Sequence, residues 1–298
     1  MNNWLSGISY EVAFWEATLT NRKERAALQR FSHRGGEISL NGFDAPAFLR
    51  NLPSPTQAIV LDVGCGMSYA PGDKLRINGS QEPINIHYVD PLADYFNHII
   101  RRHKLDLPEV EFGMMEYIGA FYPEHNVSLI IIQNALDHSA NPVKGILESL
   151  TALHTDGVLY LNHHPNEAEF ENYRGFHQFN ITIEEGHLVI WNRLERHDIN
   201  SLLEGFAQVS AYIVDNNPVA VIRKTDEVPA KLLDYRHDTA RLCRALLDYS
   251  MIANSSSYML RYHLRFFFYR TSQALSKLLP WQTRQQIKRF YNKLFGKR

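Results

Sequence analysis

The feature that most constrains the fold is an alternation of short apolar runs with amphipathic segments between residues 58 and 162. Apolar runs of strand length include AIVLDV, INIHYVD, NVSLIIIQN and GVLYLNHH, and segments with helical spacing such as PLADYFNHIIRRH and PVKGILESLTALH lie between them. Strands that alternate with helices pair in parallel, and the helices cover both faces of the sheet. The pattern therefore predicts an α/β fold.

The last two apolar runs differ from the others because a tight turn joins them. In VSAYIVDNNPVAVIRK, two runs of strand length flank Asn216-Asn217-Pro218. A connection this short places consecutive strands antiparallel. With the short run VEF counted as a strand, we expect a Rossmann-like, seven-stranded, mostly parallel sheet with a terminal antiparallel hairpin.

Helical patterns lie on both sides of this region. SYEVAFWEATLTNRKERAALQRF predicts an amphipathic helix, and FDAPAFLRNL predicts a short one with Asp44 as its cap and Pro46 in its first turn. We expect a helical N-terminal cap over residues 1–56, the α/β domain over residues 57–228 and a helical C-terminal extension over residues 229–298.

The composition is that of a soluble globular chain. None of its apolar runs approaches the roughly 20 residues that span a bilayer, and MNNWLSGISY lacks the basic flank and apolar core of a secretion signal. We therefore expect a cytoplasmic location. Cys65 and Cys243 are far apart, and neither has a Cys or His neighbour at zinc-site spacing, which argues against a disulfide framework and a cysteine zinc site.

The glycine turn after the first strand indicates the charge of its ligand. A dinucleotide site needs G-x-G-x-x-G, in which the backbone approaches a pyrophosphate. Here Gly64 and Gly66 fit, but Tyr69 stands at the third position, and Asp62 precedes the first glycine by two residues. A carboxylate repels a pyrophosphate and attracts a cation. S-adenosylmethionine carries an ammonium, a sulfonium and no phosphate.

The segment LDVGCG, with this order of elements, resembles the first motif of class I S-adenosylmethionine-dependent methyltransferases. Ser68 stands where a third glycine often occurs in that family, and Pro71-Gly72 would delay the following helix. The resemblance implies that the methionine end of the cofactor is surrounded by Asp62, Gly64, Cys65 and Gly66.

The next two strand ends supply the remaining cofactor candidates. Asp90 ends INIHYVD, where the family presents an acid that accepts hydrogen bonds from the ribose hydroxyls, and Pro91 follows it. The alternative is that Asp90 only caps the helix after it. Glu116 is expected beside the adenine, with Met114 and Met115 packing on the ring. The alternative there is a solvated Glu above core methionines.

QNALDHSANP follows the apolar strand SLIII, so its polar side chains face the ligand crevice. Asn134 is expected to line the cofactor, and Asp137 and His138 to lie toward the transferred methyl. A neutral imidazole suits removal of a hydroxyl proton near pH 7, which makes His138 the first candidate base and His177 the second. Alternatively, a histidine in such a loop only caps a turn or binds backbone.

Residues 161–193 resemble a narrower group. FNITIEEGHLVIWN alternates and breaks at Glu185-Gly186, which predicts a hairpin in an inserted lid over residues 165–193. NEAEFENY and GFHQFN, with VDPLADYF and NALDHSANP, look like a bacterial subgroup associated with surface-polysaccharide or other glycan biosynthesis. Expected acceptor-binding residues are His163, His164, Glu167 and Gln178. They show no metal-ligand spacing, so we expect no metal, although magnesium held with Asp137 is an alternative.

The charge of the chain is divided unevenly. Residues 229–298 carry 14 Lys and Arg against 3 Asp and Glu, whereas the rest carries 17 against 29. From Pro280 onward, aromatic and aliphatic residues share one face of a basic amphipathic helix. Its expected partner is an anionic membrane surface or membrane-bound glycan machinery; packing on the body or homodimerisation is the alternative. No RNA-binding motif accompanies the charge, so nucleic acid is not expected.

These features predict an S-adenosylmethionine-dependent methyltransferase that methylates a hydroxyl of a sugar, a glycan or a related small molecule. Within enzymes, the alternative is an RNA or small-metabolite methyltransferase. From a different class, the alternative is a non-catalytic cofactor-binding module of the same fold.

Overall fold

The computed structural model describes residues 2–30, 32–173 and 175–233, with isolated positions between 260 and 286. The strands within these residues are β1 (Ile59–Val63), β2 (Lys74–Ile77), β3 (Ser80–Pro83), β4 (Asn85–Asp90), β5 (Glu111–Phe112), β6 (Val127–Gln133), β7 (Leu153–Asn162), β8 (Asn180–Glu184), β9 (His187–Trp191), β10 (Arg196–Asp198), β11 (Ala207–Val214) and β12 (Asn217–Lys224). The helices are α1 (Asn2–Thr20), α2 (Arg22–Gln29), α3 (Ala45–Arg50), α4 (Ala93–His103), α5 (Ile118–Phe121), α6 (Pro142–Ala152), α7 (Glu167–Phe170) and α8 (Ile199–Leu202).

Seven strands form one sheet in the order β11-β12-β7-β6-β1-β4-β5. Strand β1 pairs in parallel with β4 and β6, β4 with β5, and β6 with β7. Strand β12 is antiparallel to both β7 and β11. The predicted Rossmann-like sheet with its terminal antiparallel hairpin is therefore confirmed.

The middle of this sheet is buried on both faces. Leu129 and Ile131 of β6 belong to one hydrophobic cluster, and Ile130 and Ile132 belong to another, which includes the buried face of α6. An uninterrupted apolar run suits a strand covered on both sides. Because both of these clusters also include residues of β1, the carboxyl ends of β1 and β6 are fixed by packing on both faces of the sheet.

The hairpin predicted at Glu185-Gly186 is present as β8 and β9, and β10 extends it to a three-stranded sheet. Its apolar side chains, among them Ile181 and Ile190, are buried in the same cluster as α6. The predicted lid region thus has two parts. The hairpin packs into the hydrophobic core. The segment 165–179 before it carries polar residues of the predicted site, among them Glu167 and Gln178.

Two details differ from the sequence prediction. The amphipathic N-terminal segment forms two helices, because Asn21 ends α1 and its side chain caps α2 by accepting a hydrogen bond from Lys23 N. After the glycine turn, Pro71 and Gly72 lead into the β2–β3 hairpin, and residues 64–92, all of which are described, contain no helix. The turn therefore has no helix N-terminus with which to hold a phosphate.

Helix α1 is fixed to α4 by a buried charge. Glu16 is 2% exposed, and its Oε1 lies 2.8 Å from His103 Nε2 and 3.4 Å from Arg102 NH1. Apolar residues of both helices, including Ile8 and Phe96, share one cluster beside this pair. As a result, α1 lies against the face of the sheet that α4 covers.

Most of the predicted C-terminal helix, together with Cys243, lies outside the described residues. Within the described part, no helix combines the length and apolar character needed to cross a bilayer.

Candidate active site

The turn after β1 requires glycine at two positions. Gly64 and Gly66 have φ angles of +69° and +53°, which side chains rarely adopt. A Cβ on Gly64 would lie 2.5 Å from Ala135 Cβ, and one on Gly66 would lie 2.5 Å from the ring of Trp15. The amide of Gly64 also donates to Val89 O on β4 at 2.8 Å. The turn therefore packs closely against the segment after β6 on one side and against α1 on the other.

Two buried carboxylates flank this turn. Asp90 at the end of β4 accepts hydrogen bonds from Gly66 N at 3.1 Å and from Leu92 N at 2.8 Å. Asp62 in β1 is 3% exposed, and within the described residues its Oδ2 has no hydrogen-bond partner. Burial, together with the charge of Asp90, raises the pKa of Asp62 to about 8. Burial likewise raises the pKa of Asp90 to about 7, against the effect of its two backbone hydrogen bonds. Among the described residues, none forms an ion pair with Asp62 or Asp90 at this turn.

Helix α1 forms a roof over the turn. The Trp15 ring covers Gly66, and its Nε1 donates to Glu11 Oε1 at 2.8 Å. One turn further toward the N-terminus, Gly7 packs against the Phe176 ring. Although the sequence predicts a cap here, Glu11 and Trp15 were not among the predicted site residues. Their i,i+4 spacing next to apolar positions was the available signal.

The second part of the site is a cluster of three residues on the loops after β6 and α7. His177 Nδ1 lies 2.8 Å from Asp137 Oδ2 and 3.1 Å from His138 Nε2, and His138 Nε2 lies 3.5 Å from the same carboxylate oxygen. Burial alone would raise the pKa of Asp137, but the two histidines lower it to about 2. Burial alone would lower the pKa of His177, but the hydrogen bond to Asp137 raises it. The structure therefore places all three predicted catalytic residues in contact with one another.

Two predicted acceptor residues border this cluster. The Oε2 atom of Glu167, at the start of α7, lies 4.0 Å from His177 Nδ1. His163 is 1% exposed, and no described residue makes a hydrogen bond to either of its ring nitrogens. Burial lowers the pKa of His163 to about 4. The charge of Asp137 acts to raise this pKa, and the charge of His138 acts to lower it. His163 is therefore a neutral imidazole next to the cluster.

Three other predicted residues make contacts that organise the backbone. Asn134 Oδ1 accepts from His164 N at 2.9 Å, and the His164 ring contacts the Asn217 side chain at 3.2 Å. The Gln178 amide donates to Tyr173 O and Gly175 O, and its backbone N donates to Asp137 O. These bonds hold the ends of β6 and β7 together and fix the loop that carries His177.

Glu116 and Cys65 are more enclosed than the sequence suggests. Glu116 is 4% exposed, and its Oε1 accepts from Ala140 N at 2.7 Å and Asn141 N at 3.3 Å, which anchors the loop after β6. The alternative of a solvated Glu116 is therefore wrong, and its placement beside the adenine stays a prediction. Burial raises the pKa of the Cys65 thiol, so Cys65 is a neutral part of the core. Pro91 is half-buried directly after Asp90.

No family model matches the sequence, and no curated protein matches it. Among solved structures, the chain is similar to the CurJ carbon methyltransferase at 16% identity and a TM-score of 0.39, with 60% of this chain and 51% of that chain covered. It is also similar to the T. thermophilus 16S rRNA N2 G1207 methyltransferase RsmC, at 14% identity and a TM-score of 0.33, with 63% and 40% covered.

A third similar structure is an rRNA methylase from Streptococcus thermophilus, at 12% identity and a TM-score of 0.36, with 64% of this chain and 100% of that chain covered. All three structures are methyltransferases. The chain spans about half the length of the CurJ structure and less than half of the RsmC structure.

Proposed function

We propose that the chain is an S-adenosylmethionine-dependent methyltransferase that methylates a hydroxyl group of a sugar, a glycan or a related small molecule. The observation that carries this proposal is the unpartnered, buried Oδ2 of Asp62 beside the glycine turn, with Asp90 at the end of the adjacent strand. A buried carboxylate without a partner is costly unless a ligand supplies a cation or a hydrogen-bond donor.

The residues around the turn fit this cofactor. Asp62 and the backbone of Gly64 and Gly66 would hold its positively charged methionine end. Each Asp90 oxygen accepts one backbone hydrogen bond and, as a carboxylate oxygen, can accept another from a ribose hydroxyl. When bound, the cofactor supplies an electrophilic methyl group on a sulfonium. A nucleotide with phosphates fits less well, because two buried acids stand where a helix N-terminus would be needed.

The cluster of Asp137, His138 and His177 would form the acceptor side. Its residues Asp137 and His138 follow the end of β6. This end lies next to the β1 turn, because a Cβ added to Gly64 would lie 2.5 Å from Ala135 Cβ. The sequence named His138 as the first candidate base and His177 as the second, each acting singly. Since both histidines converge on one carboxylate oxygen, we propose instead that the cluster as a unit activates the acceptor hydroxyl.

The surroundings of the cluster favour a neutral acceptor. Glu167 and Asp137 are acidic and would repel a phosphate backbone, whereas hydroxyl groups can donate hydrogen bonds to them. This charge supports a sugar or small-molecule acceptor over RNA. The glycan class itself follows from the sequence resemblance of the segment 165–179 and its neighbours.

The proposed organisation keeps the predicted boundaries. Residues 1–56 would cap the site, residues 57–228 would form the methyltransferase domain, and residues 229–298 would dock the enzyme on an anionic membrane surface or on membrane-bound glycan machinery.

Calorimetry with S-adenosylhomocysteine tests the cofactor assignment. We expect the wild type to bind and Asp90→Ala to weaken binding by about 1 to 3 kcal/mol, which is the value of hydrogen bonds to a charged group. Asp44→Asn is the matched control. Asp44 caps α3 by accepting from Ala47 N, and Asn caps helices equally well. A wild type that fails to bind would overturn the proposal.

A bound cofactor with no product would instead favour the non-catalytic alternative. The test is mass spectrometry of acceptors from cells with and without the protein, in which the product carries one additional methyl group.

A further inference from the structure

Three atoms of the acceptor cluster form a nearly equilateral triangle. Its corners are Asp137 Oδ2, His138 Nε2 and His177 Nδ1, and its sides are 2.8, 3.1 and 3.5 Å. All three atoms carry lone pairs when the carboxylate is ionised and each histidine is neutral with its proton on the other ring nitrogen, Nδ1 of His138 and Nε2 of His177. These three atoms are also mutually close enough to coordinate one ion.

The dimensions of the triangle match a metal site. An ion placed about 2.1 Å from each corner, the usual bond length to His nitrogen and carboxylate oxygen, would lie about 1 Å out of the plane. The angles at that ion would be about 84° to 113°, which spans octahedral and tetrahedral values. The three interatomic distances are therefore compatible with one ion that contacts all three atoms.

Hydrogen bonds alone do not satisfy this arrangement well. The Nδ1 atom of His177 lies within hydrogen-bond distance of both the His138 nitrogen and the Asp137 oxygen, so a single proton on Nδ1 cannot form a well-aligned hydrogen bond with both. In addition, Asp137 Oδ1 is buried and has no hydrogen-bond partner in the described part of the chain. A cation would use the converging lone pairs together and would offset the charge of the buried carboxylate.

The supporting loop is built to hold this geometry. His177 follows Asp137 by 40 residues, and the adjoining Gln178 ties the two segments together through its backbone hydrogen bond to Asp137 O. The Gln178 side chain closes the loop on itself through Tyr173 O and Gly175 O. Ligands fixed by their supporting contacts are typical of metal centres.

We infer that Asp137, His138 and His177 form a binding site for a divalent transition-metal ion of the Zn²⁺, Mn²⁺, Fe²⁺ or Co²⁺ class. The sequence predicts no metal, because the ligands come from loops distant in the chain and show no local spacing. Two imidazoles with one carboxylate suit these ions better than Mg²⁺ or Ca²⁺, which prefer oxygen ligands.

The role of the ion rests on the proposed function, although its binding does not. Three ligands on one side of an ion leave the opposite side open. In a methyltransferase, that open side would take the acceptor hydroxyl and lower its pKa, as metals do for bound water. The buried neutral His163 and the carboxylate of Glu167 border this space and could receive hydrogen bonds from a bound acceptor.

The test is a titration of the full chain, freed of metal by a chelator, with Co²⁺ and no cofactor or acceptor. Visible ligand-field absorption reports Co²⁺ bound to nitrogen and oxygen ligands. We expect one Co²⁺ per chain, displaced by Zn²⁺. Because even the loss of a supporting contact weakens metal binding 10- to 100-fold, His177→Ala and Asp137→Asn should weaken Co²⁺ binding by at least about 100-fold.

His187→Ala is the matched control, since it removes a histidine that pairs with Asp198 at 2.8 Å on the surface. It should leave Co²⁺ affinity unchanged. Thermal unfolding and S-adenosylhomocysteine binding by each variant show whether it is folded. A wild type without Co²⁺ absorption would overturn the metal site, as would equal affinity in the folded variants. Failure of the proposed function would appear separately, as absent S-adenosylhomocysteine binding by a chain that still binds Co²⁺.

Discussion

Cofactor affinity is expected to rise steeply with pH because of Asp62. Its pKa of about 8 means that, without a ligand, the side chain is mostly neutral at pH 7. A cationic ligand binds the ionised form and so lowers this pKa. By linkage, binding releases a proton, and affinity falls as pH falls below the pKa of the free protein.

The size of the effect follows from the ionised fraction. With a pKa of about 8, roughly 1% of Asp62 is ionised at pH 6 and roughly three quarters at pH 8.5. The affinity should therefore change on the order of 75-fold, or about 2.5 kcal/mol, between these pH values. Asp90 has a pKa of about 7 and adds to the slope in the same direction. Cys65 and Tyr88 also lie near Asp62, but their raised pKa values keep them neutral over this range.

The assay is calorimetry with S-adenosylhomocysteine across this pH range, in buffers of different ionisation enthalpy, so that proton release is measured directly. Asp62→Asn cannot ionise and should keep only the part of the slope that belongs to Asp90. If the affinity of the wild type were flat with pH, or if Asp62→Asn had the same slope, the assignment of Asp62 to the ammonium group, the positive charge that S-adenosylhomocysteine shares with the cofactor, would be refuted.

Two further predictions concern the glycine turn and the C-terminal extension. Gly66→Ala should lower the free energy of unfolding by about 2 to 4 kcal/mol, from the strained φ and the displaced Trp15 ring, whereas Gly79→Ala, with φ of +87° and no atom within 4 Å, should cost about 1 kcal/mol. Equal losses in urea denaturation would show that the Trp15 contact is unimportant. Anionic liposomes should co-sediment the full chain but not a chain ending at Leu279, and the difference should diminish with salt. Equal recovery in the supernatant would reject the membrane role.

The fold follows from the sequence because its signals are local. Strand-length apolar runs, helical spacing and the turn at Asn216-Asn217-Pro218 each specify an element without reference to distant residues. The β2–β3 hairpin has such a signal too, the dipeptide Asn78-Gly79, and both residues adopt the positive φ angles of a tight hairpin turn. It was missed because a helix is expected after a glycine turn.

Only part of the candidate site could be predicted from local signals in the sequence. Asp62 and Asp90 could be predicted because parallel strand ends meet at one edge of a sheet. The contact between His177 and Asp137 joins residues 40 positions apart, and the placement of Trp15 over Gly66 depends on how α1 packs. Neither relation leaves a periodic pattern in the sequence, so both needed the structure.

The position of α1 over the glycine turn depends on a contact with α4, which is synthesised much later. Glu16 of α1 and His103 of α4 are 87 residues apart. At about 5–20 residues per second, a ribosome needs roughly 4–17 s to make that length of chain. During this interval α1 lacks the ionic contact with α4 and the apolar residues of α4 that complete its cluster, and a helix of this kind owes most of its stability to packing. We therefore expect the apolar face of α1, with Ile8 and Val12, to stay incompletely packed until α4 has been made, and a chaperone that binds exposed apolar segments to contact it during that time.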